Sequence, residues 1–187
     1  GAVEQTFIKE RELIEDAGGE ISGKGANRGR KRKGKSTVDD AVLFLAKLKQ
    51  GAVASFEATR LATGNKNANR MEIHGEKGAL RFDFERMNEL GFYDATLPGK
   101  VQGWSNINVT RGNDGHPYVD HWWPDAHGLG YEHGFINEAA DICLALAGKK
   151  PLVCLPDFAD AYETQRVLHA AIQSARNHCP VKMSQVK

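Results

Sequence analysis

The segment from Val38 to Glu85 constrains the fold most, because it contains successive short strands separated by recognisable turns. Apolar residues dominate positions 42–47, which predicts a strand that buries residues on both faces until its last position. Gln50-Gly51 follows as a tight turn, since glycine adopts positive φ without Cβ strain. Ala52–Ala58 is predicted to return as the second strand of a hairpin.

The second half of this segment continues the antiparallel pattern. Met71 and Ile73 lead through a glycine-containing turn at residues 74–78 into a strand over residues 79–84. Leu80, Phe82 and Phe84 share one face of that strand, because strand side chains alternate with period two. Further short strands are predicted over residues 89–93 and 105–110. We therefore expect a broad, open, largely antiparallel sheet.

Two helices complete the prediction. Tyr131–Ala147 carries an apolar stripe, stops at Gly148 and is followed by Pro151. Pro156 and Asp157 open a second helix that ends near Asn177. The expected inward residues of the two helices are Phe135, Ala139, Ile142, Cys143 and Leu146, then Phe158, Ala161, Gln165, Leu168, Ile172 and Ala175. Val181 and Met183 are expected to form a last edge strand. The predicted fold class is α+β, an open sheet with helices packed on one face in two layers.

Length and composition favour a single soluble domain over residues 1–187. The formal net charge is +1, which favours neither nucleic acid nor a membrane as a partner. No apolar run approaches the roughly 18–20 residues that span a bilayer, and no signal peptide is recognisable at the first residues. Three cysteines without paired spacing are typical of reduced thiols. We expect a cytoplasmic protein.

Residues 18–36 form a glycine-rich, strongly basic insertion. Seven lysines and arginines lie between Lys24 and Lys35 with no acidic residue among them. One interpretation is a nucleic-acid or nuclear-targeting patch. The other is a solvated, mobile loop that joins two strands, and we prefer it because no aromatic residue is interleaved for base stacking.

The loop over residues 111–130 has little periodicity, and long unpatterned segments inside compact domains are commonly functional. Sugar sites combine apolar ring faces with a few directed hydrogen-bonding groups. The candidate ligand-binding residues at this loop and the helix that follows are Trp122, Trp123, His127, Tyr131 and His133.

Two other interpretations of this loop remain open. Four histidines lie between His116 and His133, but their spacings of five, six and six residues match no known zinc pattern, so we expect no metal. The loop is also compatible with a plain wall of the domain, in which tryptophans are buried and histidines cap the backbone.

Arg60 is the remaining candidate, at the end of the strand that contains Phe56-Glu57-Ala58-Thr59. Its guanidinium is suited to bind a substrate hydroxyl, or to form a structural ion pair with Glu57 or Glu72. We slightly favour the ion pair. No residue set of the serine-hydrolase type is found in the sequence.

Several ordered motifs resemble one family. The stretches VDDAV and SFEATR, then NRMEIHGEKGALRFDFERMNEL, then HPY followed by WWPDAHGLGYEHGFINE resemble the C-terminal domain of the glucose–fructose oxidoreductase/inositol dehydrogenase (Gfo/Idh/MocA) family. The resemblance runs from about Val3 to Val181. Members of this family are NAD(P)-dependent dehydrogenases, mostly of sugars and polyols, in which a Rossmann domain precedes the sheet domain.

The resemblance implies that this chain is the substrate-facing and oligomerisation domain of such a dehydrogenase, with the Rossmann domain absent. It places the catalytic lysine and histidine before the first residue, so no catalytic residue is assigned here. A search of the sequence agrees on the cofactor, because no G-x-G-x-x-G lies between a strand and a helix. We therefore expect NAD or NADP to be held mainly by the missing domain, and the chain alone to bind no cofactor and to be inactive.

The expected partners are a sugar or polyol substrate and further copies of the chain. A homodimer or homotetramer is expected through the sheet face, since two narrow helices cannot cover both faces. The alternative is a stand-alone, non-catalytic scaffold or binding domain of the same fold.

Overall fold

The computed structural model of the chain describes residues 1–13, 32–112 and 116–186. Two compact units are distinguished, Gly1–Thr63 together with Asp157–Lys187, and Gly64–Pro156. We call them the first unit and the second unit and describe each by itself. The single domain over residues 1–187 stays a prediction.

Within the described ranges, nine β-strands and two α-helices alternate with short 3₁₀ turns. Their bounds are β1 Ala2–Gln5, β2 Glu10–Glu12, β3 Lys33–Lys35, β4 Ala41–Lys47, β5 Val53–Thr59, β6 Arg70–His74, β7 Gly78–Asp83, β8 Glu89–Asp94, β9 Trp104–Asn108, α1 Tyr131–Leu146 and α2 Phe158–Asn177. All strand pairs are antiparallel. The α+β class with antiparallel sheets is thereby confirmed. The strands are divided among three sheets, where the sequence suggested one broad sheet.

The β4–β5 hairpin in the first unit forms as predicted. Gly51 has φ of 92° in the turn, and its N–H donates to the Leu48 carbonyl at 3.0 Å. The rings of Phe44 and Phe56, which are register partners, stack with centroids 4.6 Å apart. Leu45 on the opposite face is 69% exposed. The alternation therefore leaves the odd-numbered apolar residues of β4 on the outer face.

Alternating apolar and polar residues over Ala2–Glu12 predict one long first strand, but the structure divides this stretch into β1 and β2. β1 pairs with β4 in the order β1-β4-β5, and the chain then turns away. The Oδ2 atom of Asp40 accepts hydrogen bonds from the backbone N–H groups of Phe7 and Ile8, both at 2.8 Å. Arg11 donates to the other carboxylate oxygen. Residues 7 and 8 thus give their donors to a buried side chain, which removes them from a sheet ladder.

β2 and β3 form a separate two-stranded ribbon with alternating charge. Glu10 lies opposite Lys35 and Glu12 lies opposite Lys33. Opposite charges directly across two strands stabilise the pairing modestly. The end of the basic insertion therefore faces acidic partners, whereas its residues 18–31 lie outside the described part of the chain.

Helix α2 begins at an N-cap aspartate, as expected. The Asp157 side chain accepts hydrogen bonds from the N–H groups of Ala159 and Asp160, at 2.8 and 2.9 Å. The buried residues lie in the second half of the helix, which packs beside β1: Ala170, Ala171, Ser174 and Ala175. Of the residues expected on the inward stripe, only Ala175 is buried and Ile172 is half-buried, whereas Phe158 is 94% exposed. The buried residues are small, which lets the helix approach the sheet.

The predicted edge strand at Val181 and Met183 is wrong. Residues Met183–Gln185 form a 3₁₀ turn. The Arg166 guanidinium of α2 donates to the Met183 carbonyl at 2.7 Å and to the Val186 carbonyl at 2.9 Å. These bonds occupy acceptors that a strand would need, and they hold Val186 in a buried position with 3% exposure.

The second unit contains the four-stranded meander β6-β7-β8-β9. Its first turn closes with a hydrogen bond from Gly75 N–H to the Gly78 carbonyl at 2.8 Å, as the sequence predicted. A Cβ at Gly91 would lie 2.4 Å from Cγ of Arg81, so only glycine fits beneath that side chain. Arg81 thereby crosses the strand and places its guanidinium 4.4 Å from the Trp104 ring centroid.

Helix α1 ends one residue before the predicted bound at Ala147, and the side of the helix that is buried is not the predicted one. Its buried residues are His133 and Asp141. Phe135 and Leu146, expected inside, are 56% and 84% exposed. Gly148 ends the helix with φ of 70°, as a C′ glycine should. None of the helices in the described residues is long and apolar enough to cross a membrane.

We predict that Asp40→Asn lowers thermal stability most strongly near neutral pH. The N–H of Ile8, then that of Phe7 and the charge of Arg11, hold the pKa of Asp40 below its ordinary value of 3.8 despite burial. A lowered folded-state pKa means that the stabilisation is complete above about pH 4 and is lost as the pH falls through the folded pKa.

The measurement is the midpoint of thermal unfolding between neutral and acidic pH, with the neighbouring, half-buried Asp39→Asn as control. The gap between wild type and Asp40→Asn should close in acid. A gap that is equal at all pH values, or equal for the control, would contradict the assignment.

Candidate functional site

The loop that precedes α1 is fixed by side chains distant in sequence. Asn88 clamps the backbone of Leu129, with its Nδ2 donating to the carbonyl and its Oδ1 accepting from the N–H, each at 2.9 Å. Asp125 accepts a hydrogen bond from the N–H of Gly112 at 2.8 Å. Ala126 adopts φ of 67°, and its N–H donates to the Thr110 carbonyl at 3.1 Å. The described residues of the loop, 111–112 and 116–130, therefore have a defined path in the second unit.

A row of polar side chains on α1 binds this loop. His133, Asn137 and Asp141 are spaced by four residues and lie on one side of the helix. We call them the polar stripe. The indole N–H of Trp122 donates to Oδ1 of Asn137 at 2.8 Å. The hydroxyl of Tyr118 donates to Oδ2 of Asp141. Helix and loop are thus joined by side-chain hydrogen bonds.

Asp141 is the most deeply buried member of the polar stripe, with 1% exposure. Besides Tyr118, the N–H of Leu152 donates to its Oδ1 at 2.8 Å. The hydrogen bond from Tyr118, followed by that from Leu152, lowers the pKa of Asp141. Burial and then this bond raise the pKa of Tyr118 to about 12. The carboxylate stays charged and the phenol stays protonated near neutral pH, so this pair holds structure and is poorly suited to transfer protons.

Three of the predicted site residues come together at the start of α1. The ring centroids of Trp122 and Trp123 lie 4.3 and 6.4 Å from that of His133. His133 is buried, and its Nδ1 accepts the N–H of Gly130 at 3.0 Å, which caps the helix. Trp123 is 50% exposed. The arrangement offers an apolar ring face beside a buried imidazole.

The other two loop candidates face different neighbours. Tyr131 is 54% exposed, and its ring centroid lies 5.6 Å from that of Phe84 and 5.1 Å from that of Phe135. His127 is exposed, with Nδ1 at 2.9 Å from the Pro124 carbonyl. The ring of His127 therefore bonds to the backbone of its own loop. This is the arrangement expected if the loop is only a wall of the domain. The substrate-binding roles of both residues stay predictions.

Arg60 belongs to the first unit. Its backbone N–H donates to the carbonyl of Asp40 at 2.9 Å, and its side chain is exposed. In the described part of that unit, no ion pair joins Arg60 to Glu57. A role for Arg60 in binding a substrate stays a prediction.

Sequence reasoning did not single out Asn88, Asn137 or Asp141. Asn137 and Asp141 follow His133 at four-residue spacing, which places the three polar residues on one side of α1. The apolar stripe on the other side was the stronger pattern, so that side was predicted to be buried. For Asn88 no local signal exists, because its partner Leu129 is 41 residues away. Across the residues that the structure describes, no group of three or more histidine, cysteine, aspartate or glutamate side chains is placed to hold a metal ion.

Comparison with known proteins identifies relatives of this chain. The family profile described as the GFO/IDH/MocA C-terminal domain matches residues 13–81. Levoglucosan dehydrogenase of Pseudarthrobacter phenanthrenivorans is 35% identical over 189 aligned residues, which include 99% of this chain and 46% of that enzyme. The chain thus spans about half the length of the curated relative that it matches.

Solved structures extend the similarity to the fold. An oxidoreductase domain protein from Kribbella flavida is 46% identical, with a TM-score of 0.78 over 95% of this chain and 42% of that chain. Levoglucosan dehydrogenase in complex with NADH and levoglucosan is 33% identical, with a TM-score of 0.77 and the same coverage of 95% and 42%. The resemblance seen in the sequence motifs is confirmed, and the chain belongs to the GFO/IDH/MocA family of oxidoreductases, where it corresponds to the C-terminal domain.

Proposed function

We propose that the chain is the substrate-facing part of an NAD(H)-dependent sugar or polyol oxidoreductase, which moves hydride between a carbinol carbon and nicotinamide. The similarity to levoglucosan dehydrogenase over 99% of the chain carries the proposal. A solved structure of a levoglucosan dehydrogenase holds both NADH and levoglucosan. The nicotinamide, when bound, supplies the redox chemistry. NADP is the alternative cofactor, and its choice depends on residues outside this chain.

The chain's own contribution is to orient the sugar. Half-exposed Trp123 provides an apolar face for a sugar ring, and buried His133 lies beside it. The loop that carries Trp122 and Trp123 is held by hydrogen bonds to α1, so its aromatic rings are preorganised. The catalytic base and most of the cofactor contacts are assigned to the part of the longer relatives that this chain does not match, and we expect the 187 residues alone to be inactive.

Reducing surroundings suit this chain. Cys143, Cys154 and Cys179 are all free and exposed. Exposed thiols persist best in compartments that keep them reduced, and we place the protein in the cytoplasm on this basis.

In a protein of the relatives' length that contains this chain, Trp123→Ala and His127→Ala are expected to lower kcat/KM for levoglucosan oxidation. Loss of one positioning contact should cost about 1–3 kcal/mol of transition-state stabilisation. The measurement is steady-state NADH formation, together with the affinity for NAD⁺, which should stay nearly unchanged because the cofactor is held elsewhere.

The matched control is Trp104→Phe, which alters a tryptophan beside Arg81 on β9. It should leave kcat/KM within about twofold of wild type. Full activity of both loop variants would show that the loop is a wall. Absence of NAD(P)-dependent turnover with any sugar or polyol would refute the oxidoreductase itself.

We further propose that the outer face of the β1-β4-β5 sheet joins copies of the chain into a homodimer or homotetramer. On this face Leu45 and Val53 are 69% and 81% exposed, and Val3 is 62% exposed. Large apolar side chains exposed close together are costly in water and mark interaction sites, and here Lys47, Ser55 and Glu57 lie among them on the same face. Packing the same face of two copies together buries it around a twofold axis.

We predict that the double variant Leu45→Glu with Val53→Glu is monomeric near 20.5 kDa, whereas the wild-type chain sediments as a dimer or larger. Both positions are exposed, so the charges should disrupt association without unfolding the sheet. Sedimentation velocity at micromolar concentration is the measurement. Leu146→Glu, at a position on α1 that is 84% exposed, is the control. A monomeric wild type would remove the assembly role.

A further inference from the structure

A cavity of about 330 Å³ lies within the second unit, between the loop, the first turns of α1 and residues 153–156. Its apolar wall includes Val109 and Val153, and its polar wall includes His116, His133, Asn137 and Glu138. The volume is at the small end of the range for ligand pockets, which suits a ligand the size of a monosaccharide.

Hydrogen bonds fix the tautomers of both histidines. Nδ1 of His133 accepts from the N–H of Gly130 at 3.0 Å, and Nδ1 of His116 accepts from the N–H of Tyr118 at 3.3 Å. A backbone N–H can only donate, so each Nδ1 must lack a proton and each neutral ring must carry its proton on Nε2. Burial also lowers the pKa of His116, which favours the neutral ring.

Neither Nε2 atom has a hydrogen-bond partner among the residues that the structure describes. His133 is only 8% exposed, yet among the described residues no unpartnered side-chain nitrogen or oxygen is fully buried, so its Nε2 is accessible to solvent and can donate to a molecule in the cavity. The side-chain amide of Asn137 adds a third donor. Because the Oδ1 atom of Asn137 accepts from the indole of Trp122, the group left to bind a ligand is the amide NH₂ at Nδ2.

The charges around the cavity restrict what it can hold. Glu138 lines it and Asp141 lies at its wall with a lowered pKa, so an anion would be repelled. A cation would meet three N–H donors, whose positive ends face it. A neutral molecule with hydroxyl oxygens accepts from the donors, and one of its hydroxyls can donate to Glu138.

We propose that this cavity is a binding pocket for a small neutral polyol, to whose oxygens Nε2 of His116, Nε2 of His133 and Nδ2 of Asn137 donate hydrogen bonds. The assignment deepens the proposed function and rests on it for the class of ligand. It adds the His116 and His133 imidazoles to the polar contact predicted for the exposed His127, and it gives Trp122 the role of positioning Asn137.

Two substitutions of His133 distinguish the role of its Nδ1 atom from that of its Nε2 atom. Asparagine places a polar atom near the position of Nδ1 and has nothing at Nε2, whereas glutamine reaches the Nε2 position and loses the acceptor for Gly130. The 187-residue chain, labelled with ¹⁵N histidine, is titrated with levoglucosan, and long-range ¹H–¹⁵N spectra follow each ring nitrogen.

We expect His116 and His133 in the Nε2–H form, with saturable shifts of both Nε2 signals. His133→Asn and His116→Asn should weaken levoglucosan binding about three- to tenfold, the effect of one hydrogen bond, with unfolding temperature nearly unchanged. His133→Gln should keep more of the affinity and lose stability. His74→Asn, at an exposed position on β6, should match wild type.

Wild-type affinity in both asparagine variants, or the absence of saturable shifts at Nε2, would overturn the pocket. If levoglucosan instead shifts only the exposed loop residues, the pocket fails while the proposed function stands. If the Nε2 signals shift but the protein of the relatives' length turns over no sugar, the pocket stands and the proposed function fails.

Discussion

A buried carboxylate needs hydrogen-bond donors, and the way Asp141 obtains them determines the arrangement of the second unit. The donors come from Tyr118 in the loop and from Leu152 beyond the end of α1. The helix must therefore turn Asp141 toward the loop, and the four-residue spacing brings Asn137 and His133 with it. Removing one partner from such a set leaves the others unsatisfied, so the polar stripe acts as one unit.

This orientation has a consequence for the rest of α1. Since its polar side is occupied by the loop, its apolar residues, such as Phe135 and Leu146, are left on the exposed side. The exposure of these apolar residues and the burial of the polar stripe both follow from the need of Asp141 for hydrogen-bond donors. The first unit follows the same rule on a smaller scale, because the need of Asp40 for donors diverts the backbone of Phe7 and Ile8 from the sheet.

The sequence predicted the elements with local causes. The β4–β5 turn follows from Gly51, the end of α1 from Gly148 and the start of α2 from Asp157, since each depends on a few adjacent residues. It did not predict which side of α1 is buried. That side is set by Tyr118 and Trp122, which lie outside the helix, and helical periodicity cannot report such partners.

The same limit applied to the candidate site. The aromatic and histidine-rich composition drew attention to this part of the chain, and Trp122, Trp123 and His133 do lie together, because residues close in sequence stay close in space. Their role in binding a substrate stays a prediction. The amide of Asn88, which clamps Leu129 from 41 residues away, could be recognised only from the folded chain. In the tail, the predicted strand failed because Arg166 reaches it from α2 across 17 residues of sequence.

Because Arg166 contacts main-chain atoms of residues 183–186, the path of this tail depends little on which side chains it carries. Arg166 binds the carbonyl oxygens of Met183 and Val186, which every amino acid possesses. The side chain of Met183 can change while the main chain keeps its course, provided that the arginine remains and that position 186 keeps a side chain suited to its buried place. Evolutionary drift in the tail should therefore be tolerated where drift at residue 166 is not, and a conserved arginine would mark this path in relatives whose tails share no recognisable residues.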